Sequence, residues 1–356
     1  MQDNSLVGSI DELPTEMIRA RIRFGRRALP RPLGRLALLL AAAVGMPWLP
    51  ILVEPPANRP MQRLPGVTGS ALYRMAFDPV NRILATIDER GCVAVQPVDE
   101  AAGAGRRIDV PGFAWAIAFS PDGRRLAVGQ KNADVLFLTT NPGVPTRASG
   151  PPVRYVTHLA FAPDGRTLAI ACATRPGTIL IWDIEARRTL LTLTHGNPPR
   201  STTALAFAPD GASLAASGYD SSAVLIWDVL SGRLVRRLAD TGQSGLAYSP
   251  DGRALAVVGH GVRIWNPSTG ALIRTIAEGG SFSQATFSPD GRRLATASLD
   301  GIACVWDVAD GRERMRLDGQ AQVIRDVAFS ASGHALLAIG SDGDIRRWDL
   351  NRPDMP

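Results

Sequence analysis

The chain carries few side chains of the kinds that perform catalysis or hold metals. Its four histidines lie far apart, without H-E-x-x-H or any other metal-ligand spacing: His158, His195, His260 and His334. Its three cysteines show no C-x-x-C spacing: Cys92, Cys172 and Cys304. No G-x-S-x-G, phosphate-binding glycine loop or regularly spaced carboxylate pair is present. We therefore predict no catalytic residue, no metal site and no cofactor.

A short pattern recurs seven times: an apolar residue, alanine, an aromatic anchor and, one residue later, Pro-Asp-Gly or a remnant of it. The aromatic anchors are Phe77, Phe119, Phe161, Phe207, Tyr248, Phe287 and Phe329. Successive anchors are 42, 42, 46, 41, 39 and 42 residues apart. That period is close to the length of a four-stranded propeller blade. Because each unit buries its faces against its neighbours, such an array can exceed the size of an ordinary single core.

The sixth repeat shows how these elements follow one another. Residues 285–287 end a first strand, residues 288–291 (Ser-Pro-Asp-Gly) turn, and residues 294–297, 302–306 and 315–317 read as three further strands. Proline pre-sets φ at the second turn position, aspartate can bond its own backbone, and glycine accepts a positive φ. Each repeat is therefore predicted to be an antiparallel meander.

A tryptophan followed by aspartate or asparagine lies 17 to 21 residues beyond five anchors. The pairs are Trp182-Asp183, Trp227-Asp228, Trp265-Asn266, Trp306-Asp307 and Trp348-Asp349. Recurring at a fixed phase, they resemble the WD-repeat family of β-propellers, of a bacterial type with an N-terminal membrane segment. The resemblance covers about residues 61–356 and implies an all-β fold of seven four-stranded antiparallel blades.

The chain also departs from that family. Many members carry a Gly-His pair before each first strand and an aspartate before the third, joined to the tryptophan in a hydrogen-bonded tetrad. Asp300 and Asp342 stand where the pattern implies, but the Gly-His pair is missing. We therefore expect an incomplete tetrad and blades that depend more on apolar packing. The repeats that hold the cysteines would not touch in a ring, so we expect each cysteine to be a small apolar strand residue.

The ends of the array predict how the ring closes. Only 27 residues follow Phe329, which leaves room for three strands in the last blade. Residues 61–66 precede Phe77 at nearly the distance at which residues 314–319 precede Phe329. We predict that residues 61–64 add to the last blade as its outer strand, because this removes an exposed sheet edge.

An enzymatic alternative follows from the same resemblance, since some propellers are hydrolases that ligate a cation in the central channel with inward carboxylates and amides. Such ligands would lie four or three residues before the anchors. Four residues before stand Tyr73, Trp115, Thr157, Thr203, Ser244, Ser283 and Arg325. Three residues before stand Arg74, Ala116, His158, Ala204, Gly245, Gln284 and Asp326. Asp326 is the single carboxylate, which disfavours a channel metal, and we interpret His158 as a packed strand residue.

The same positions supply a binding hypothesis. Tyr73, Trp115 and Arg325 are of the types enriched at interface hot spots. Blade order places repeats seven, one and two side by side, and the resemblance implies that partners bind at the channel mouth. We therefore predict one partner-binding patch made of these three residues. The alternative is that Tyr73 and Trp115 only cap the packing of the ring.

The charge of the chain is basic, with a net value of +6 and a pI near 9.9. Half of the excess lies in residues 1–60, which hold 8 arginines and 5 acids. The repeats show no basic stripe with interleaved aromatic residues. We therefore predict protein partners, no nucleic acid and a monomeric propeller.

The N-terminal region predicts a membrane anchor. Residues 36–53 are 18 residues without a charge, and a helix of that length spans roughly 27 Å. Residues 1–35 carry 7 arginines, so the positive-inside rule makes them a basic cytoplasmic tail and places the propeller outside the cytoplasm. Residues 54–60 contain 3 prolines and are predicted to form a stiff linker.

Two alternatives for this segment stay open. If Pro47 ends the helix, the apolar run of 11 residues is typical of a cleaved signal peptide. The segment could also be an apolar helix on a cytoplasmic protein. The sequence as a whole predicts a membrane-tethered, non-catalytic interaction scaffold; the alternatives are a hydrolase with a channel metal and a cytosolic scaffold with a docking helix.

Overall fold

The repeats fold into 28 β-strands, which pair as seven four-stranded antiparallel sheets. The computed structural model describes residues 61–351 apart from 66, 68, 79, 99–104, 133, 141–146, 174–176, 195–201, 219–222, 241–243 and 319–322. The predicted all-β fold of seven four-stranded blades is confirmed. The predicted tail, membrane segment and linker lie outside the described residues, and no helix among the described residues is long and apolar enough to span a bilayer.

Each of the first six blades is one sheet of four consecutive strands, named here from the inner strand outwards. Blade 1 contains β2 (Leu72–Asp78), β3 (Ile83–Asp88), β4 (Val93–Pro97) and β5 (Arg106–Ile108). Blade 2 contains β6 (Ala114–Phe119), β7 (Arg125–Gln130), β8 (Leu136–Thr139) and β9 (Arg147–Ser149). Blade 3 contains β10 (Val156–Phe161), β11 (Thr167–Cys172), β12 (Thr178–Asp183) and β13 (Arg188–Thr194).

The next three blades repeat this order. Blade 4 contains β14 (Thr202–Phe207), β15 (Ser213–Gly218), β16 (Val224–Asp228) and β17 (Leu234–Leu238). Blade 5 contains β18 (Gly245–Tyr248), β19 (Leu255–Gly259), β20 (Gly261–Trp265) and β21 (Leu272–Ala277). Blade 6 contains β22 (Phe282–Phe287), β23 (Arg293–Ser298), β24 (Ile302–Asp307) and β25 (Glu313–Asp318).

Blade 7 is assembled from both ends of the described chain. Its inner strands are β26 (Ile324–Phe329), β27 (Ala335–Gly340) and β28 (Asp344–Asp349), and its outer strand is β1 (Met61–Pro65). β1 runs antiparallel to β28, with Met61 opposite Trp348 and Leu64 opposite Ile345. Leu64 is buried with residues of blades 7 and 1, so β1 contributes to the core as well as to the sheet.

The core is divided into seven apolar clusters, one between each pair of neighbouring blades. The second strand of each blade supplies most of it, because that strand is covered on both faces; every residue of β11 and β27 is buried. Among the anchors, Phe287 and Phe329 are buried and the other five are half-buried. A cluster at every blade interface, including the one between blades 7 and 1, is what a closed ring requires.

The Pro-Asp-Gly turns also join neighbouring blades. In blade 6, Gly291 N donates to Ser288 O at 2.8 Å, which closes the turn. A Cβ placed on Gly291 would lie 3.5 Å from Cδ of Pro250 in the turn of blade 5. The same contact recurs around the ring in the pairs Gly165–Pro121, Gly211–Pro163, Gly252–Pro209 and Gly333–Pro289. The proline and glycine of each turn therefore serve two purposes: they form the turn and they pack against the turn of the neighbouring blade.

All three cysteines are free. Cys172 and Cys304 are buried inside strands, as expected, but Cys92 lies in the turn before β4 and is half-buried. The prediction for Cys92 was wrong because that turn is held by a buried carboxylate: Cys92 N donates to Asp88 Oδ1 at 2.8 Å. The backbone hydrogen bond to Asp88, rather than burial of the thiol, therefore holds Cys92 in place.

Candidate partner-binding surface at the channel mouth

The inner strands of six blades contain the same irregularity. In each of them the pairing with the second strand skips one residue, which is a β-bulge: Tyr73, Trp115, Thr157, Thr203, Ser283 and Arg325. A bulge re-aims a side chain that regular alternation would place on a blade face. The three residues predicted to bind a partner all lie at this bulge, near the end of the central channel where the inner strands begin. We call this end the mouth.

In blades 3, 4 and 6 the bulged residue is a small hydroxyl that bonds nearby groups. Thr157 Oγ1 donates to the carbonyl of Thr202 in blade 4 at 3.3 Å. Ser283 Oγ donates to the carbonyl of Ile324 in blade 7 at 2.9 Å. The hydroxyls of Thr203 and Ser217 are 3.0 Å apart. Thr157 and Ser283 thus tie neighbouring inner strands together, and Thr203 bonds the second strand of its own blade, which explains all three by structure alone.

Blades 7, 1 and 2 carry large side chains at the same position. Trp115 Nε1 donates to the Tyr73 hydroxyl at 3.3 Å, so the structure brings these two half-buried residues together across the blade interface. Arg325 is exposed on the adjacent inner strand, and in the described part of the chain its side chain forms no ion pair or hydrogen bond. Three large side chains thus stand at the bulge on consecutive blades.

Three further residues, which the sequence analysis missed, adjoin this group. Lys131 Nζ lies 5.8 Å from the centroid of the Trp115 ring. Lys131 N donates to Phe113 O and Tyr155 N donates to Lys131 O, both at 2.9 Å. The Phe113 and Tyr155 side chains are 42% and 44% exposed. One signal could have found them: Phe113 and Tyr155 both stand six residues before their anchors, and Lys131 is the single lysine of the chain.

We call the set Tyr73, Phe113, Trp115, Lys131, Tyr155 and Arg325 the mouth patch. Tyr155 has a φ of 57°, which is uncommon for a residue with a large side chain. Exposed aromatic rings next to cations are the composition of a binding hot spot.

The channel behind the mouth is crossed by a polar bridge. Arg74 Nη2 lies 2.7 Å from His158 Nε2, and the arginine reaches past blade 2, where Ala116 leaves room. Burial, and after it the Arg74 charge, hold the pKa of His158 well below its usual range. Arg74 can donate to Nε2 only when that nitrogen carries no proton, so His158 is neutral. The histidine is a packed strand residue.

Asp326 completes this layer of the channel. Its Oδ2 accepts from Met75 N at 3.3 Å, and burial raises the pKa of the carboxyl to about 6 against the opposing charge of Arg74. The remaining cavity is about 110 Å³. Across the described residues, no group of three or more His, Cys, Asp or Glu side chains could hold a metal ion.

The Trp-Asp pairs serve the fold. Asp307 Oδ1 accepts from Ala309 N at 2.9 Å and from Asp310 N at 3.2 Å, and this bonding caps the turn between the third and fourth strands. Trp306 Nε1 donates to Thr296 Oγ1 of the second strand of the same blade at 2.9 Å. In blade 5 the corresponding Trp265 instead donates to Asp240 of the preceding blade at 2.6 Å.

Comparison with known proteins agrees with this geometry. The chain matches the family described as "WD domain, G-beta repeat" over residues 148–183, 188–228, 270–307 and 311–349. It is 33% identical over 143 residues to the WD repeat-containing protein SL1-17 of Schistosoma mansoni, which is 38% of this chain and 46% of that protein. It is 32% identical over 141 residues to the target of rapamycin complex subunit wat1 of Schizosaccharomyces pombe, covering 38% and 44%.

A third relative is the guanine nucleotide-binding protein subunit beta of Oryza sativa subsp. japonica, 31% identical over 152 residues, which is 37% of this chain and 40% of the relative. The chain thus spans less than half the length of each of these relatives. The four matched repeats recur with the same strand order and turn chemistry in a ring of seven blades. The chain belongs to the WD40-repeat β-propeller family.

Proposed function

We propose that this propeller is a non-catalytic platform that binds a protein partner through the mouth patch. One observation carries the proposal: at a bulge where blades 3, 4 and 6 place small hydroxyls, blades 7, 1 and 2 place Arg325, Tyr73 and Trp115. The Thr157 and Ser283 hydroxyls bond carbonyls of neighbouring inner strands, whereas the three large side chains bond no inner-strand carbonyl among the described residues. Two relatives are named as a subunit of a complex or of a nucleotide-binding protein, which supports an assembly role.

A triple variant tests this platform. Tyr73→Ala, Trp115→Ala and Arg325→Ala are combined in the full chain, and proteins captured from the native cells are compared with those captured by the unchanged chain. We expect loss of specific captured proteins. The matched control combines Arg253→Ala and Arg312→Ala, which are exposed on turns at the end away from the mouth. An unchanged capture profile at unchanged melting temperature excludes the patch.

We further propose that residues 36–53 anchor the chain as a single membrane span, with the N-terminus cytoplasmic and the propeller outside the cytoplasm. The support is the uncharged length of the segment and the 7 arginines that precede it. Protease added to intact cells should digest the propeller, while the mature chain keeps its N-terminal residues. Full protection would favour a cytoplasmic scaffold, and a mature N-terminus beyond residue 45 would favour a cleaved signal.

A further inference from the structure

The charges at the mouth are unbalanced on one side of the ring. In the described parts of blades 7, 1, 2 and 3, four exposed cations at this end form no ion pair: Arg90, Lys131, Arg154 and Arg325. The exposed carboxylates of blades 1 and 2 at this end are Glu89, Asp134 and Asp109, and Asp109 already has a partner. Two more carboxylates on the blade 7 turn are already paired, Asp342 with Arg346 and Asp344 with Arg63. The surface therefore favours a partner with negative charge.

Apolar surface flanks the central cation. Phe113 and Tyr155, both exposed, flank Lys131 in the main chain, since backbone hydrogen bonds link the three residues in that order. Phe113 is held close to the turn of blade 1: a Cβ on Gly91, which has a φ of 75°, would lie 2.7 Å from the Phe113 ring. The Phe113 ring is thus positioned before binding, which lowers the entropy lost when an apolar residue packs against it.

The aromatic residues nearer the channel are less available for stacking. Lys131 lies over the Trp115 ring, Arg74 lies 5.4 Å from the centroid of the Tyr73 ring, and the two aromatic polar atoms bond each other. Single-stranded nucleic acid needs open ring faces and a continuous basic groove along the phosphates. Isolated cations around a rim, separated by apolar rings, suit the spaced carboxylates of a polypeptide better.

We propose that the mouth patch recognises an extended acidic segment of the partner protein, with an apolar residue of the segment between Phe113 and Tyr155 and its carboxylates on Lys131 and Arg325. This inference rests on the proposed function and specifies the chemistry of the partner. Binding should weaken as ionic strength rises, because the cations are exposed and screened by salt.

Matched synthetic peptides test the chemistry with the full chain. An array presents three sets of short peptides around the same apolar residues: one rich in Asp and Glu, one with Asn and Gln in their place, and one with Lys and Arg. The acidic set should retain the protein and the other two should not. Equal binding to the amide set would overturn the inference.

Variants at the single lysine sharpen this result, measured by fluorescence anisotropy with the tightest acidic peptide. Lys131→Met keeps the stem but loses the charge, and should weaken binding about tenfold. Lys131→Arg should stay within about twofold, since the charge is kept. Arg312→Met, on a turn at the other end of the blades, is the control. Peptide binding that is indifferent to both Lys131→Met and Arg325→Met contradicts the proposal.

A coupling experiment locates the contact. A carbodiimide joins the Lys131 amine to a carboxylate of the bound peptide as an amide, and the reagent takes up the water that is lost. The coupled residue should be Lys131, and the coupling should disappear in Lys131→Arg although the peptide still binds. Coupling confined to the N-terminal amine counts against the inference.

The binding platform and the acidic segment can be contradicted separately. If the triple variant loses its protein partner but no acidic peptide binds, the platform stands and the acidic segment is wrong. If the triple variant keeps its captured proteins and no acidic peptide binds, the platform and the acidic segment are both wrong. An oligothymidylate that binds more tightly than the best acidic peptide, and through Lys131, would replace the acidic segment with a nucleic acid.

Discussion

Gly343 shows how closely the first and last blades approach. Its φ is 85°, and a Cβ there would lie 2.8 Å from the carbonyl oxygen of Ser70, which is backbone and cannot rotate away. Gly279 has a similar φ of 77° but no atom within 4 Å of the same position. The two glycines therefore separate the effect of backbone conformation from the effect of a close contact.

We predict that Gly343→Ala lowers the free energy of unfolding by about 2–4 kcal/mol, the sum of a strained φ and an overpacked contact. Gly279→Ala should cost about 1–2 kcal/mol from φ alone. Chemical denaturation of both variants measures the difference. Equal costs would show that Ser70 moves aside.

Asp326 makes the stability of the fold depend on pH. Its pKa is about 6 in the folded protein, against about 3.9 for a free aspartate. The folded state therefore holds a proton between these values that the unfolded state has released. Stability from this group is full below about pH 4 and is lost as pH rises through 6, a total of about 2–3 kcal/mol.

We predict that Asp326→Asn removes this contribution. The unfolding free energy of the unchanged chain minus that of the variant should be larger at pH 4 than at pH 7. His158 acts in the opposite direction, because its depressed pKa makes acidification destabilising, so the difference between the two chains is the quantity to compare. A difference that does not vary with pH would place the raised pKa of Asp326 in doubt.

At the scale of the elements, the turns and pairs of the sequence predict the strands well. The Pro-Asp-Gly turns and the Trp-Asp pairs define where strands end, and β24 spans Ile302–Asp307, against the predicted 302–306. The bulge was not predictable, because it interrupts the alternation on which strand patterns depend. The hydrogen bond between Tyr73 and Trp115 depends on that bulge. The left-handed φ of Tyr155 could not be predicted either, because nothing about a tyrosine indicates that conformation.

Blade 5 departs from the family tetrad in a way that the sequence analysis did not foresee. Asp240, from the connection after β17, has a fully buried side chain that accepts from Trp265 Nε1 at 2.6 Å and from Arg263 Nη1 at 3.0 Å. The blades were expected to depend more on apolar packing, but a buried ion pair and hydrogen bond also join blades 4 and 5. Asp240, which comes from the preceding blade, thus takes the place of the missing histidine as a partner of the tryptophan.

We predict that Asp240→Ala lowers the free energy of unfolding by about 3–5 kcal/mol, because it leaves the guanidinium of Arg263 and the indole N–H of Trp265 without their acceptor. Asp300→Ala, at an exposed turn of blade 6, should cost under about 1 kcal/mol. Thermal unfolding of the two variants makes the comparison. A similar cost for both would remove the special role of Asp240.

At the scale of the whole molecule, β1 holds the ring closed. It covers the edge of β28 with five paired residues, and Leu64 adds apolar contact between blades 7 and 1. We predict that deletion of residues 58–66 lowers the melting temperature and broadens the unfolding transition, because the blades then no longer form one cooperative ring. Arg63→Ala, which alters an exposed side chain of the same strand, is the control. Unchanged cooperative unfolding of the deletion would refute this role.

The pairing of Met61 with Trp348 also sets an order of events during synthesis. The strand that completes blade 7 leaves the ribosome before the other 27 strands, and its partner β28 leaves after them, so the nascent chain must keep β1 unpaired while the other six blades form. A chain that stops before β28 has nothing for β1 to join. Early termination of translation therefore yields an open stack with bare sheet edges, which is the kind of product that aggregates.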